Sequence, residues 1–80
     1  MPDVIKVLYV RDYILWLEFD DGTHGEVDIS LSFNGPVFEP LRDLDYFKQV
    51  RVNADLGTIV WPNGADVAPE TLYERMHVTA

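Results

Sequence analysis

The chain has 80 residues, which predicts one domain over 1–80 with no room for a second core. Its composition, 48% apolar and 25% charged, supports a folded core and argues against disorder. Fourteen acids stand against six Lys and Arg, and those six are scattered, so nucleic-acid binding by this chain alone is disfavoured.

There is no cysteine, so disulfide and thiolate chemistry are excluded, and a cytoplasmic location is expected. No apolar run approaches the roughly 20 residues of a membrane span, and Met1-Pro2-Asp3 does not read as the start of a signal peptide. A net charge of -8 suits a basic protein partner through electrostatic steering, and it suits simple solubility equally well.

Val4 to Val10 is rich in β-branched and aromatic residues and reads as a strand, as does Tyr13 to Phe19. Arg11-Asp12 joins them without a glycine to set the turn type, so their mutual register stays open. The next turn is better specified. A loop at Asp21-Gly22 alone would put leucines and carboxylates on one face, which a two-residue side-chain period penalises. A loop of Asp20-Asp21-Gly22 instead pairs Leu17 with Gly25, Leu15 with Val27 and Tyr13 with Ile29, and Gly22 suits its left-handed position. Glu18 then falls opposite His24, and Trp16 opposite Glu26, on the other face.

Asn34-Gly35-Pro36 breaks the chain, and Val37-Phe38-Glu39 forms a helical turn closed by Pro40. Leu41 to Gln49 predicts a short helix with Leu41, Leu44 and Phe47 on one apolar face, capped by Asp43 or Asp45. Val50–Asn53 and Thr58–Trp61 predict a second hairpin, with Val52 opposite Ile59 and with Arg51 and Val60 pointing the other way. Pro69 opens a last helix with Glu70 near its N-terminus, and Leu72 and Met76 face the core. The tail from Arg75 to Ala80 is expected to fray. The fold class is therefore α+β: an antiparallel N-terminal three-stranded meander, a short helical segment, a second β-hairpin and a C-terminal helix.

Catalytic motifs are missing, and the sequence names no reaction. Ser30 and Ser32 lie in no Gly-x-Ser-x-Gly elbow, no Gly-rich phosphate loop occurs, and His24 and His77 have no ligand-spaced partners. No metal, cofactor or catalytic residue is implied. The densest stretch is Trp61 to Tyr73. Pro62-Asn63-Gly64 is a turn, and Asp66 can accept backbone N–H bonds before the helix. Two readings stand side by side there. Each residue has a structural task, and Trp61, Asn63, Asp66, Glu70 and Tyr73 form a candidate recognition patch.

Phe19-Asp20-Asp21-Gly22-Thr23 with Asp28, the run Gly35 to Leu41, Phe47, and above all Trp61 to Tyr73 resemble the bacterial family known as domain of unknown function 2442. The resemblance covers nearly the whole chain and implies a compact α+β fold, with no established activity and no catalytic residues. Some relatives carry an added helix-turn-helix domain, and none is expected within these 80 residues. Family genes tend to lie beside another small uncharacterised family, which implies a toxin–antitoxin arrangement. This sequence has no evident DNA-binding region or disordered tail, which sets autorepression in doubt.

The expected role is a non-enzymatic protein-interaction module, an acidic antitoxin-like partner of a small basic protein. One alternative is a small-ligand-binding or enzymatic domain using the Trp61–Tyr73 loop. Another is a homodimeric regulatory domain lacking its DNA-binding half, with an apolar patch of Ile14, Trp16 and Val60 on its sheet.

Overall fold

A computed structural model describes residues 2–78. Three strands open the chain: β1 (Val4–Arg11), β2 (Ile14–Phe19) and β3 (His24–Asp28). Two 3-10 segments, Ile29–Ser32 and Pro36–Arg42, lead to α1 (Leu44–Phe47). A hairpin of β4 (Arg51–Asn53) and β5 (Thr58–Val60), then α2 (Pro69–Arg75) and β6 (His77–Val78), completes the chain. The fold is α+β as predicted, with sheet order β1-β2-β3-β6 and a separate β4-β5 pair.

The β2–β3 register is the one that the leucine alternation demands: Leu15 opposite Val27, Leu17 opposite Gly25, Trp16 opposite Glu26 and Glu18 opposite His24. Phe19 N–H donates to Thr23 O at 2.8 Å and Gly22 N–H to Phe19 O at 3.0 Å, closing the Asp20-Asp21-Gly22 loop. Gly22 supplies the left-handed residue at φ 88°. At the glycine-free β1–β2 turn, Asp12 takes the left-handed position itself, at φ 46°. The β1 register shifts between Val4 and Lys6 and again between Tyr9 and Arg11, so both ends of this edge strand are bulged.

One face of the sheet carries the core. Leu15, Leu17 and Phe19 of β2 are fully buried, joined by Val4 and Val27 from the flanking strands. Leu41, Phe47, Ile59, Trp61 and Leu72 cover them from the other side. Each such side chain contributes about 1.5–3 kcal/mol on burial, and aromatic edges interlock, as where Tyr13 meets Phe47 with centroids 5.3 Å apart.

The structure corrects four local expectations. The helix expected over Leu41 to Gln49 is four residues long, because Pro36–Arg42 takes up a 3-10 conformation that carries Pro40 inside it. Asp43 does cap α1, its Oδ1 accepting from Asp45 N–H at 3.1 Å. Leu44 stays 37% exposed while Leu41 and Phe47 are buried, so the apolar face is narrower than its spacing suggests. The tail does not fray at once: extended Met76 (ψ 134°) carries the chain into β6, where Gly25 meets Val78 and Glu26 meets His77. Thr79 and Ala80 lie outside the described residues. Lastly, Val60 does not share a patch with Ile14 and Trp16. It sits in the separate hairpin and is 5% exposed, bridged to Asp66.

Candidate functional site

The Trp61–Tyr73 stretch repeats the device that joins β2 to β3. Trp61 N–H donates to Ala65 O and Gly64 N–H to Trp61 O, both at 3.0 Å, and Gly64 has φ 87°. Pro62-Asn63-Gly64 is thus a three-residue hairpin loop like Asp20-Asp21-Gly22, and the Val60–Asp66 bridge continues the pairing beyond it. Asn63 holds the loop from both sides. Its Oδ1 accepts from Ala65 N–H at 3.1 Å, and its Nδ2 donates to Val37 O at 2.8 Å.

Trp61 is 1% exposed, and its indole N–H donates to Phe47 O at 2.9 Å, so the ring presents nothing to solvent. Asp66 is exposed, with its backbone in the bridge to Val60. The N-cap of α2 is Ala68, with no side-chain cap bond. Pro69 at the first helical position and Glu70 in the first turn start α2 instead. Glu70 and Glu74 are exposed, and Arg75 Nη1 donates to Ser32 Oγ at 2.8 Å.

Tyr73 is half-buried, its ring edge-on to Phe19 with centroids 4.9 Å apart. Its hydroxyl donates to Asp21 Oδ2 at 2.9 Å and lies 3.3 Å from Thr23 Oγ1. Thr23 N–H donates to Asp21 Oδ1 at 2.9 Å. That backbone bond, aided by Tyr73, holds the Asp21 carboxyl below its ordinary value. Of the five sequence-predicted residues, the fold therefore leaves Asn63, Asp66 and Glu70 on the surface, half-buries Tyr73 and places Trp61 in the core.

A second surface lies on the sheet face turned away from the core. There the pleat aligns three cross-strand rows: Lys6–Glu18–His24, Leu8–Trp16–Glu26 and Arg11–Ile14–Asp28. None of these residues belongs to the core cluster. Lys6 Nζ stands 5.8 Å from the Trp16 ring centroid, and the His24 ring is 5.6 Å from it. A depression of about 270 Å³ is lined by Arg11, Ile14, Glu26 and Asp28. Leu8 and Arg11 did not emerge from the sequence as part of this surface, because the bulges that set the β1 register leave no signal in the residue pattern. Among the described residues, no three of His, Cys, Asp and Glu converge as a metal ion requires.

A family model described as "Protein of unknown function (DUF2442)" matches residues 4–77, from the first residue of β1 into β6. The chain belongs to the DUF2442 family. No curated protein matches it. No solved structure matches it either. The family is uncharacterised, so it assigns no chemistry to either surface. For this DUF2442 chain, no helix among the described residues is long and apolar enough to cross a membrane.

Proposed function

We propose that the chain works by protein–protein contact and not by catalysis, and that its partner is a small basic protein, as in an antitoxin-like pair. One observation carries this reading. Asp66, Glu70 and Glu74 are exposed along the loop and α2, while Arg75 of the same helix is engaged with Ser32. Tyr73 adds Asp21 to this side of the molecule. Four carboxylates thus accumulate beside one helix, within a chain whose net charge is -8. Such a surface attracts a basic partner and raises its association rate, an effect that salt weakens.

The test is binding of the product of the neighbouring gene, measured by calorimetry at low salt. Glu70→Lys combined with Glu74→Lys is expected to weaken binding at least tenfold, about 1.4 kcal/mol. Full affinity in the doubly reversed protein would remove the support that α2 gives to this reading.

A further inference from the structure

The uncovered sheet face is not uniformly charged. Its cations, Lys6 and Arg11, lie on β1, and the carboxylates of Glu26 and Asp28 lie on β3. Between them β2 presents Ile14, Trp16 and Glu18, with Leu8 of β1 50% exposed beside Trp16 and His24 of β3 opposite Glu18. The polarity therefore runs across the strands, from a basic edge on β1 to an acidic side on β3, with Ile14 and Trp16 between them and Glu18 beside Lys6 at one end.

We propose that a second copy of this chain covers this face, related by a two-fold axis parallel to β2. The charge pattern selects both the occupant and the axis. Rotation about an axis along β2 lays β1 of one copy over β3 of the other. Arg11 then faces Asp28 of the second copy, because both share the row of Ile14. Lys6 faces His24 of the second copy, one row from its Glu26, and the Trp16 and Glu18 side chains of the two copies meet close to the axis, with each Glu18 flanked by Lys6 of both copies. An axis across the strands would set β1 over β1, cation against cation. An isologous contact must be self-complementary, and the first arrangement sets Arg11 against Asp28 twice and places Lys6 of both copies around the Glu18 pair. It also keeps the two sheets nearly aligned, the packing that twisted sheets prefer at about 10 Å separation.

The size of the face sets the strength. Strands of eight, six and five residues present an area well below the roughly 800 Å² per partner of a standard stable interface. The dimer is therefore weak, with a Kd between about 10 μM and 1 mM. This contact is separate from the α2 side, so either one can fail without the other.

Sedimentation equilibrium of the full chain at rising concentration tests it. A monomer–dimer equilibrium is expected, and Trp16→Glu is expected to raise its Kd at least tenfold with the circular dichroism of the fold unchanged. The axis is tested separately. The chain has no cysteine, so Ile5→Cys gives a single spin-label site on β1. In a mixture with isotope-labelled, unmodified protein, broadening is expected at the amides of His24 and Gly25 on β3. A monomer up to about 1 mM, a dimer indifferent to Trp16→Glu, or broadening centred on Val10 and Arg11 of β1 would each overturn the proposal.

Discussion

The Tyr73 hydroxyl donates to Asp21 at 2.9 Å across 52 residues of sequence, and this bond ties α2 to the β2–β3 turn. The same tyrosine packs its ring on Phe19, so one side chain locks the helix by an apolar contact and a polar one. The two contacts separate by substitution. Tyr73→Phe keeps the ring and loses the hydroxyl, and a small loss of stability is expected. Tyr73→Ala loses both and is expected to cost on the order of 2 kcal/mol, since the ring is only half-buried. Urea denaturation of the two variants checks the order. An equal loss in both would show that the ring contributes nothing.

Asp21 gives the fold a pH dependence of known sign. Its carboxyl is held below its ordinary value of 3.8, first by the Thr23 backbone N–H and then by the Tyr73 hydroxyl. A depressed carboxylate stabilises the fold fully above its unfolded value, and that stability fades as the pH falls through the folded value. Asp21→Asn is therefore expected to be less stable than the native chain near neutral pH, and the gap is expected to shrink well below pH 3.8. Denaturant midpoints at both ends of that range measure it, and a gap independent of pH would contradict the assignment.

Trp61 is held by shape and by one hydrogen bond, and the two contributions can be told apart. Trp61→Phe removes the indole donor from the Phe47 carbonyl, which keeps the Val50 N–H, at a cost of about 0.5–1.5 kcal/mol for the bond. Trp61→Ala adds a cavity among Phe47 and its neighbours, for a total of about 3–5 kcal/mol. Thermal or urea unfolding reads both. A neutral Trp61→Ala would contradict the placement of this ring in the core.

Gly57 combines a left-handed backbone, φ 69°, with a close neighbour: a Cβ there would meet Asp3 Oδ1 at 2.5 Å. At Gly22, φ is 88° and nothing lies within 4 Å. Gly57→Ala is therefore expected to destabilise more than Gly22→Ala, whose cost of about 1 kcal/mol is backbone strain alone. Combining Gly57→Ala with Asp3→Ala is expected to recover the excess, in a double-mutant cycle followed by urea denaturation. Full additivity would mean that the carboxylate moves aside freely.

Much of this fold was legible in the residues. The β2–β3 register follows from Leu15 and Leu17 together with the short Asp20-Asp21-Gly22 loop, since a one-residue shift puts Glu26 and Asp28 on the leucine face. The β4–β5 pairing of Val52 with Ile59 followed in the same way. What stayed hidden is non-local or too short to carry a period. β6 has two residues and exists because α2 delivers the chain alongside β3. Val60 read as outward-facing by its pleat, yet the bridge to Asp66 folds the chain back over it. The candidate patch divided for a similar reason. Trp61 served the core through its bond to Phe47, while Asp66 and Glu70 stayed exposed, and nothing in their spacing announces that split.

The proposed partnership is tested most directly by calorimetric titration of this chain with the product of the neighbouring gene, at low and at moderate salt. A complex is expected whose affinity falls as salt rises and falls again on reversing Glu70 and Glu74. Absence of a complex at low salt would contradict it.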